Sequence, residues 1–195
     1  MKTKRKTGAV LTSLGLLLIL AALALTGYNL WDAHRAETTA TDAVSQLSEL
    51  IPEREENNTA STLRTEMPTE TVNGYQYVGV LDIPDLGLSL PVMNTWSYAQ
   101  LKVAPCRYSG SVYTDDLVIA AHNYRYHFGH LKNLPMGSEV TFTDIEGNIF
   151  RYKVTSLETL QPDQTDTLVQ GDWNLTMFTC TPGGATRVVV RCVRI

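Results

Sequence analysis

Cys180 and Arg187 are the residues of this sequence whose types and spacing most clearly suggest chemistry. Cys180 closes the strand-like run 174–180, and Arg187 opens a second such run, 187–194. A thiol that faces a guanidinium across two strands could attack a carbonyl carbon, because a cationic neighbour favours the reactive thiolate. The reaction also needs a base, and His122 in the segment 120–123 offers one.

Each of these three residues has a plainer interpretation when it is taken alone. Cys180 could be a small buried hydrophobe, His122 a structural or surface histidine, and Arg187 a surface charge or an ion-pair partner. All three lie at strand boundaries, where side chains converge on the mouth of a barrel. Their joint pattern therefore favours one shared site.

The N-terminus predicts a membrane anchor. Four basic residues within 2–6 precede residues 7–31, which carry no charge and are long enough as a helix to cross roughly 30 Å of hydrocarbon. The positive-inside rule then puts residues 1–6 in the cytoplasm and everything after Trp31 outside the cell membrane. A cleaved secretory signal is the alternative, since residues 22–24 have the small-x-small form of a cleavage site.

Net charge narrows the choice of partners. The chain carries −4 overall, and only 12 of its 16 basic residues follow the anchor, against 20 acidic residues. This acidic balance argues against nucleic acid as a partner, because a protein that binds nucleic acid requires a basic face.

The three cysteines are too few for a disulfide scaffold. Cys106, Cys180 and Cys192 are also odd in number, so at least one is a free thiol or an intermolecular partner. A bridge between Cys106 and Cys192 is the pairing that would spare Cys180.

Residues 32–73 are expected to form an extracytoplasmic spacer. Apolar residues at helical spacing predict one short amphipathic helix over 40–51, before Pro52. The following residues, 53–59, have too little apolar content to pack.

Residues 74–195 read as a β-rich domain. Short strands are predicted at 75–83, 86–92, 117–121, 139–143, 149–154, 174–180 and 187–194, with turn residues between them. No strand-helix alternation repeats, so the pattern indicates an all-β, mostly antiparallel sandwich or barrel. Residues 128–134 are expected to form one or two helical turns, with His127 and His130 on a solvated face.

Four segments resemble the sortases, the membrane-anchored cysteine transpeptidases of Gram-positive bacteria. TMFTC at 176–180 resembles their TLxTC signature, and AAH at 120–122 resembles AGH. RVVVR at 187–191 is similar to their final, arginine-bearing strand, and GVLDIP at 79–84 is similar to an early strand that ends at proline. The resemblance implies a closed β-barrel of about eight strands with short helices, preceded by one transmembrane helix. Met177 and Ala121 depart from the family's leucine and glycine without removing a reactive group.

The resemblance also implies a role for each site residue. Cys180 would attack the Thr–Gly carbonyl of a C-terminal LPxTG-like sorting signal to give a thioacyl enzyme. His122 would act as general acid and then as base, and Arg187 would hold the substrate and stabilise the oxyanion. Thr179 would shape the substrate groove, and no cofactor or metal is implied.

The implied partners are surface proteins that bear a sorting signal and an amine that accepts the acyl group. The amine would belong to a peptidoglycan precursor or to a pilin lysine. The spacer contains no Asp-Pro-aromatic tripeptide and no second apolar segment follows residue 195, so cell-wall anchoring is favoured over pilin polymerisation.

Three other readings compete with a sortase. His122, His127 and His130 could bind zinc, although no acidic or cysteine ligand lies at zinc-site spacing. An L,D-transpeptidase would keep histidine, cysteine and arginine within a few residues, whereas here the histidine is far upstream. A non-catalytic, membrane-tethered β-domain would keep Cys180 only for packing.

Overall fold

A long N-terminal helix and a closed β-barrel make up the residues that the computed structural model describes, 2–52 and 64–195. Residues 53–63, the polar part of the predicted spacer, lie outside the described residues. Helix α1 spans Lys2–Leu50, and a second, four-residue helix α2 spans Tyr98–Leu101. Single 3-10 turns lie at Pro84–Leu86, Leu131–Asn133 and Thr165–Leu168.

Nine strands follow the long helix in the described part of the chain. They are β1 Glu70–Val72, β2 Tyr75–Ile83, β3 Leu88–Met93, β4 Cys106–Ser109, β5 Leu117–Ala121, β6 Glu139–Asp144, β7 Ile149–Leu160, β8 Leu175–Cys180 and β9 Arg187–Arg194. The predicted strands at 75–83, 117–121 and 187–194 have the bounds of β2, β5 and β9, because turn residues flank each of these apolar runs.

Eight of these strands close into a barrel. The order is β2-β3-β4-β5-β8-β9-β7-β6, and β6 pairs back onto β2 through Gly79 to Asp82. Strand β1 adds to the N-terminal part of β2, outside the closed ring. The predicted closed barrel of about eight strands is therefore confirmed.

Alternating side chains fill the barrel interior. In β6 and β7, buried residues alternate with partly or fully exposed ones, so that Val140, Phe142, Phe150 and Tyr152 point inward while their neighbours point outward. The hydroxyl of Tyr152 is buried with no hydrogen-bond partner among the described residues.

Helix α1 packs its C-terminal half on the outside of the barrel. Ala36, Ala40, Ala43 and Leu47 recur at helical spacing and are buried. Ala43 and Leu47 join an outer apolar cluster with residues of β1 to β5. Small side chains on this face let the helix backbone approach the sheet closely.

The apolar stretch of α1 fits a membrane anchor. By length and composition it can cross a membrane, with a mean hydropathy of 2.3 over its best window and none of that window buried. The helix predicted separately at 40–51 is the last part of α1, because no residue between 31 and 50 interrupts the helical hydrogen bonding.

Three features differ from the sequence-based expectation. Strands β1 and β4 are not predicted, because three and four residues with one buried side chain each carry too weak a pattern. Strand β7 continues six residues beyond 154, past a register shift between Val154 and Ser156, and pairs with β9 as far as Arg187. Strands β3–β4 and β5–β8 pair in parallel, whereas every other strand pair is antiparallel, as expected.

Substitution of Gly79 by alanine tests the closing seam of the barrel, where β2 pairs with β6. A Cβ at Gly79 would overlap the backbone carbonyl of Thr143 on β6 and lie 2.9 Å from the Cα of Asp144. We expect Gly79→Ala to lower the free energy of unfolding by about 3 kcal/mol, because the two strands must separate. Thermal and urea unfolding of the full chain in detergent micelles measure this.

Gly87→Ala is the matched control. Gly87 has a φ of 63° with open space around its Cα, so alanine adds backbone strain and no clash. Its expected cost is about 1 kcal/mol. Equal losses for the two variants would contradict a steric seam at Gly79.

Candidate active site

The parallel pairing of β5 and β8 brings His122 and Cys180 to the same end of the barrel. Ala121 pairs with Thr179 at the last position of this register. His122 and Cys180 are the next residues along their strands. Because side chains alternate along a strand, Cys180 shares the outer face with Phe178, which packs against the outer apolar cluster.

Arg187 lies directly opposite Cys180. The two residues are partners at the end of the antiparallel β8–β9 pair. The Nη1 of Arg187 donates hydrogen bonds to the carbonyl oxygens of Gly184 (3.0 Å) and Thr186 (3.1 Å), which belong to the connecting turn. The guanidinium is therefore held by the turn that follows Cys180, whose thiol is partly exposed.

Thr179 lies beneath the site and not in an open groove. Its side chain is 3% exposed, and its hydroxyl donates a 2.8 Å hydrogen bond to the carbonyl oxygen of Ala121. This bond joins the ends of β8 and β5 on the interior face. Contact between Thr179 and a bound substrate stays a prediction.

The imidazole of His122 is partly buried next to aromatic rings. Its Nε2 is buried without a hydrogen-bond partner, and its ring centroid lies 4.9 Å from that of Tyr124. Burial lowers the pKa of His122, the charge of Lys102 lowers it further, and Asp32 of α1 acts in the opposite direction. The neutral imidazole, the form that accepts a proton, is therefore favoured.

His127 was expected on a solvated turn, and this expectation is wrong. Its side chain is 0% exposed, and neither ring nitrogen has a hydrogen-bond partner. Burial and the nearby His122 lower its pKa to about 4. His130 is exposed, as expected. Within residues 2–52 and 64–195, no three His, Cys, Asp or Glu side chains are grouped so that they could hold a metal ion.

A row of aromatic side chains runs from the thiol along the outer face. Phe178 lies two residues before Cys180 and meets the ring of Tyr108 edge-on at 5.2 Å. Tyr108 in turn packs on Trp96, which is 41% exposed, at 5.3 Å. A cavity of about 480 Å³ opens beside Trp96, Arg107 and Tyr108. Sequence analysis did not assign a role to Phe178 or Tyr108.

Arg191 fixes the connection between β7 and β8. It is 3% exposed, and its guanidinium donates to the carbonyl oxygens of Thr167 (2.6 Å) and Leu168 (2.9 Å) and to the hydroxyl of Thr176 (3.1 Å). Sequence analysis did not assign it a role, although it lies four residues after Arg187 on the same strand. The signal was a charged residue on the outer face of an otherwise buried strand.

The three cysteines are free thiols, and two of them are fully buried. Cys106 and Cys192 are each 0% exposed, and burial raises the pKa of both thiols to about 12. The bridge considered between them is absent. Cys180 is the cysteine that solvent reaches.

Comparison with known proteins identifies relatives of this chain. A model of the sortase domain matches residues 81–195. Sortase A of Bacillus anthracis is 24% identical over 177 residues, which cover 85% of this chain and 84% of that protein.

Two solved structures have similar folds over most of the chain. A Clostridium perfringens sortase D5 transpeptidase has a TM-score of 0.59 at 22% identity, over 83% of this chain and 99% of that one. Sortase C-3 of Streptococcus pneumoniae has a TM-score of 0.57 at 20% identity, over 84% of this chain and 83% of that one.

Thiol labelling tests the difference in exposure among the cysteines. We expect a maleimide or methanethiosulfonate reagent to modify Cys180 within minutes in the native chain, because solvent reaches its thiol. The other two thiols should not react, because they are buried and stay protonated. Intact-mass measurement should find one label, and none in Cys180→Ala. Labels on Cys106 or Cys192 before unfolding would contradict the buried positions.

The lowered pKa of buried His127 predicts that the folded chain loses stability in mild acid. Its pKa of about 4 in the folded chain lies below the ordinary value near 6.5, so the unfolded chain binds an extra proton between these values. Stability should fall as the pH drops from about 6.5 to about 4, by on the order of 3 kcal/mol. Urea unfolding at stepped pH values measures this loss.

His127→Leu should remove most of that acid sensitivity. His130→Gln is the control, because His130 is an exposed histidine close to His127 in the chain. An unaltered acid profile in His127→Leu would assign the effect to other groups.

Proposed function

The chain belongs to the sortase family of transpeptidases, and we propose that it cuts a C-terminal, LPxTG-like sorting signal through a thioacyl enzyme. The observation that carries this proposal is the placement of His122 and Arg187 on either side of a partly exposed Cys180. A cysteine kept only for packing would need neither neighbour. An L,D-transpeptidase would carry the three residues close together in sequence, which they are not.

In the first half of the proposed reaction, Cys180 is the nucleophile. Its thiolate forms a C–S bond with the Thr–Gly carbonyl carbon of the bound signal. The C–N bond then breaks, and protonated His122 gives its proton to the leaving glycine amine. The products are an acyl thioester on Cys180 and a neutral imidazole.

In the second half, an incoming amine attacks the thioester. Neutral His122 takes a proton from this amine, a C–N bond forms, and the C–S bond breaks to release the thiolate. The burial that lowers the pKa of His122 supports the second step, which needs a free base. Formation of the thioester needs protonated His122. The site therefore requires a group that opposes the lowering of the His122 pKa by burial.

Arg187 is proposed to bind the substrate carbonyl and the developing oxyanion. Its two hydrogen bonds to the turn both use Nη1, so the Nε and Nη2 groups are the donors we assign to substrate. A guanidinium fixed before the substrate arrives does not have to reorganise during the reaction, which is the property that makes such donors effective.

The outer aromatic row is the proposed course of the sorting peptide. Phe178, Tyr108 and Trp96 offer apolar surface that leads away from Cys180, and a peptide with leucine and proline before its scissile bond could pack on these rings. The turn fixed by Arg191 would form another wall of this groove.

The acceptor is proposed to be a cell-wall amine of the peptidoglycan precursor. The catalytic domain would act outside the cell membrane, tethered by α1, on secreted proteins that carry the sorting signal. The apolar helix and the similarity to sortase A support this arrangement. A pilin lysine is the alternative acceptor.

A ligation assay tests activity, motif and acceptor together. The full chain in detergent micelles is incubated with a library of sorting peptides and with triglycine, diaminopimelate and lysine peptides, and products are identified by mass. We expect cleavage between threonine and glycine and transfer to a cell-wall type amine. Transfer to lysine peptides alone would indicate pilin polymerisation, and no turnover of any peptide would contradict the proposed function.

Substitutions in the same assay assign the roles. Cys180→Ala should abolish turnover, and Arg187→Ala should lower kcat/KM by about 10²- to 10³-fold. His122→Ala should cost about 10²- to 10⁴-fold. The exposed residues His130 and Arg125 provide controls, since His130→Ala and Arg125→Ala should leave the rate within about twofold.

A further inference from the structure

Asp32 is a buried carboxylate on the helix that leads out of the apolar stretch. It follows Trp31 directly, and its residue is only 7% exposed. A carboxylate taken out of water is costly unless it is hydrogen-bonded or paired. The hydroxyl of Tyr124 donates a 2.6 Å hydrogen bond to its Oδ2, and Arg35 lies 3.5 Å from its Oδ1.

Tyr124 connects this carboxylate to His122. Its ring lies against the imidazole at 4.9 Å between centroids, with 35° between the ring planes. Its carbonyl oxygen accepts hydrogen bonds from the amides of His127 and Gly129, and the carbonyl of His122 accepts one from Phe128. The loop that carries His122 is thus tied to α1 through one phenol.

The charge of Asp32 opposes the other influences on His122. The titratable or charged groups around the imidazole are Lys102 after α2, His127 and Tyr124 of its own loop, and Asp32 of α1 with its partner Arg35. Burial and Lys102 disfavour the imidazolium, whereas Asp32 favours it. The phenol of Tyr124 remains the donor, because burial and Asp32 both raise its pKa.

We propose that Asp32, acting through Tyr124, is a positioning residue for His122, so that the end of the anchor helix is part of the catalytic apparatus. This inference rests on the proposed role of His122 as general acid and base. The carboxylate supplies the negative charge that protonated His122 needs before it can deliver a proton to the leaving amine. The hydrogen bond to Tyr124 fixes the ring on which the imidazole rests.

Two substitutions separate the effect of the Asp32 charge from the effect of the hydrogen bond between Asp32 and Tyr124. Asp32→Asn removes the charge and keeps an oxygen that can accept from Tyr124. Tyr124→Phe keeps the ring against His122 and removes the hydroxyl. Asp42→Asn is the matched control, since Asp42 is an exposed carboxylate of the same helix.

The first measurement is the titration of His122. The full chain, labelled with ¹³C at histidine Cε1 in detergent micelles, is titrated by NMR, and His122→Gln assigns the resonance. We expect Asp32→Asn to lower the pKa of His122 and Asp42→Asn to leave it unchanged. This readout needs no substrate, so it decides the inference even if no peptide is turned over.

The second measurement is the pH profile of turnover with the best peptide of the ligation assay. In Asp32→Asn we expect kcat to fall by about tenfold at neutral pH, with KM within about twofold. The fall in rate that accompanies loss of the His122 proton should begin at lower pH. Mild acid should therefore restore part of the activity, which a general loss of structure would not allow.

Tyr124→Phe should lower kcat without moving the His122 titration as far as Asp32→Asn does. If Asp32→Asn fails to fold, Tyr124→Phe still decides the case through its effect on kcat. An unchanged His122 titration in folded Asp32→Asn, or an unchanged kcat in folded Tyr124→Phe, would overturn the proposal. Inactivity of the unmodified chain, by contrast, would count against the proposed function alone.

Discussion

The parallel pairing of β5 with β8 is the constraint on which the site depends. Residues far apart in sequence, His122 and Cys180, follow the same end of one hydrogen-bonded pair. A parallel pair needs a long crossover, and here β6 and β7 lie within it. A slip of one residue would turn Cys180 into the barrel interior, because the side-chain period is two. The buried bond from Thr179 to Ala121 favours the observed register.

Few charged side chains lie near His122 and Cys180, and these few set the electrostatics of the candidate site. Burial favours a neutral imidazole at His122, and the described loop from His122 to Leu134 contains no acidic residue that could oppose this. The carboxylate that does so, Asp32, comes from α1. Arg187, directly opposite Cys180 in the β8–β9 pair, donates to the carbonyls of the adjoining turn. His122 and Arg187 thus flank Cys180 on its two neighbouring strands.

Helix α1 has two surfaces with different surroundings. Its N-terminal part exposes leucines throughout, as a lipid-facing helix does, whereas Ala36 to Leu47 bury small and apolar side chains against the barrel. Because α1 is one continuous helix and its C-terminal part packs on the barrel, the barrel is joined to the apolar stretch by helix and not by a flexible linker. The residues between anchor and barrel are therefore part of the packed structure as far as Leu50.

The sequence by itself determined the strands whose apolar runs end at turn residues and the apolar N-terminal helix, and it singled out Cys180, His122 and Arg187 as candidate reactive groups. Local pattern suffices for these, since β2, β5 and β9 need only alternating or continuous apolar residues with flanking breakers. Strand pairing decided the rest. That β5 and β8 run in parallel, that Arg187 faces Cys180, that His127 is buried, and that Asp32 reaches Tyr124 all depend on contacts between distant segments. No local pattern carries such contacts, because they arise only when the barrel closes and the helix packs against it.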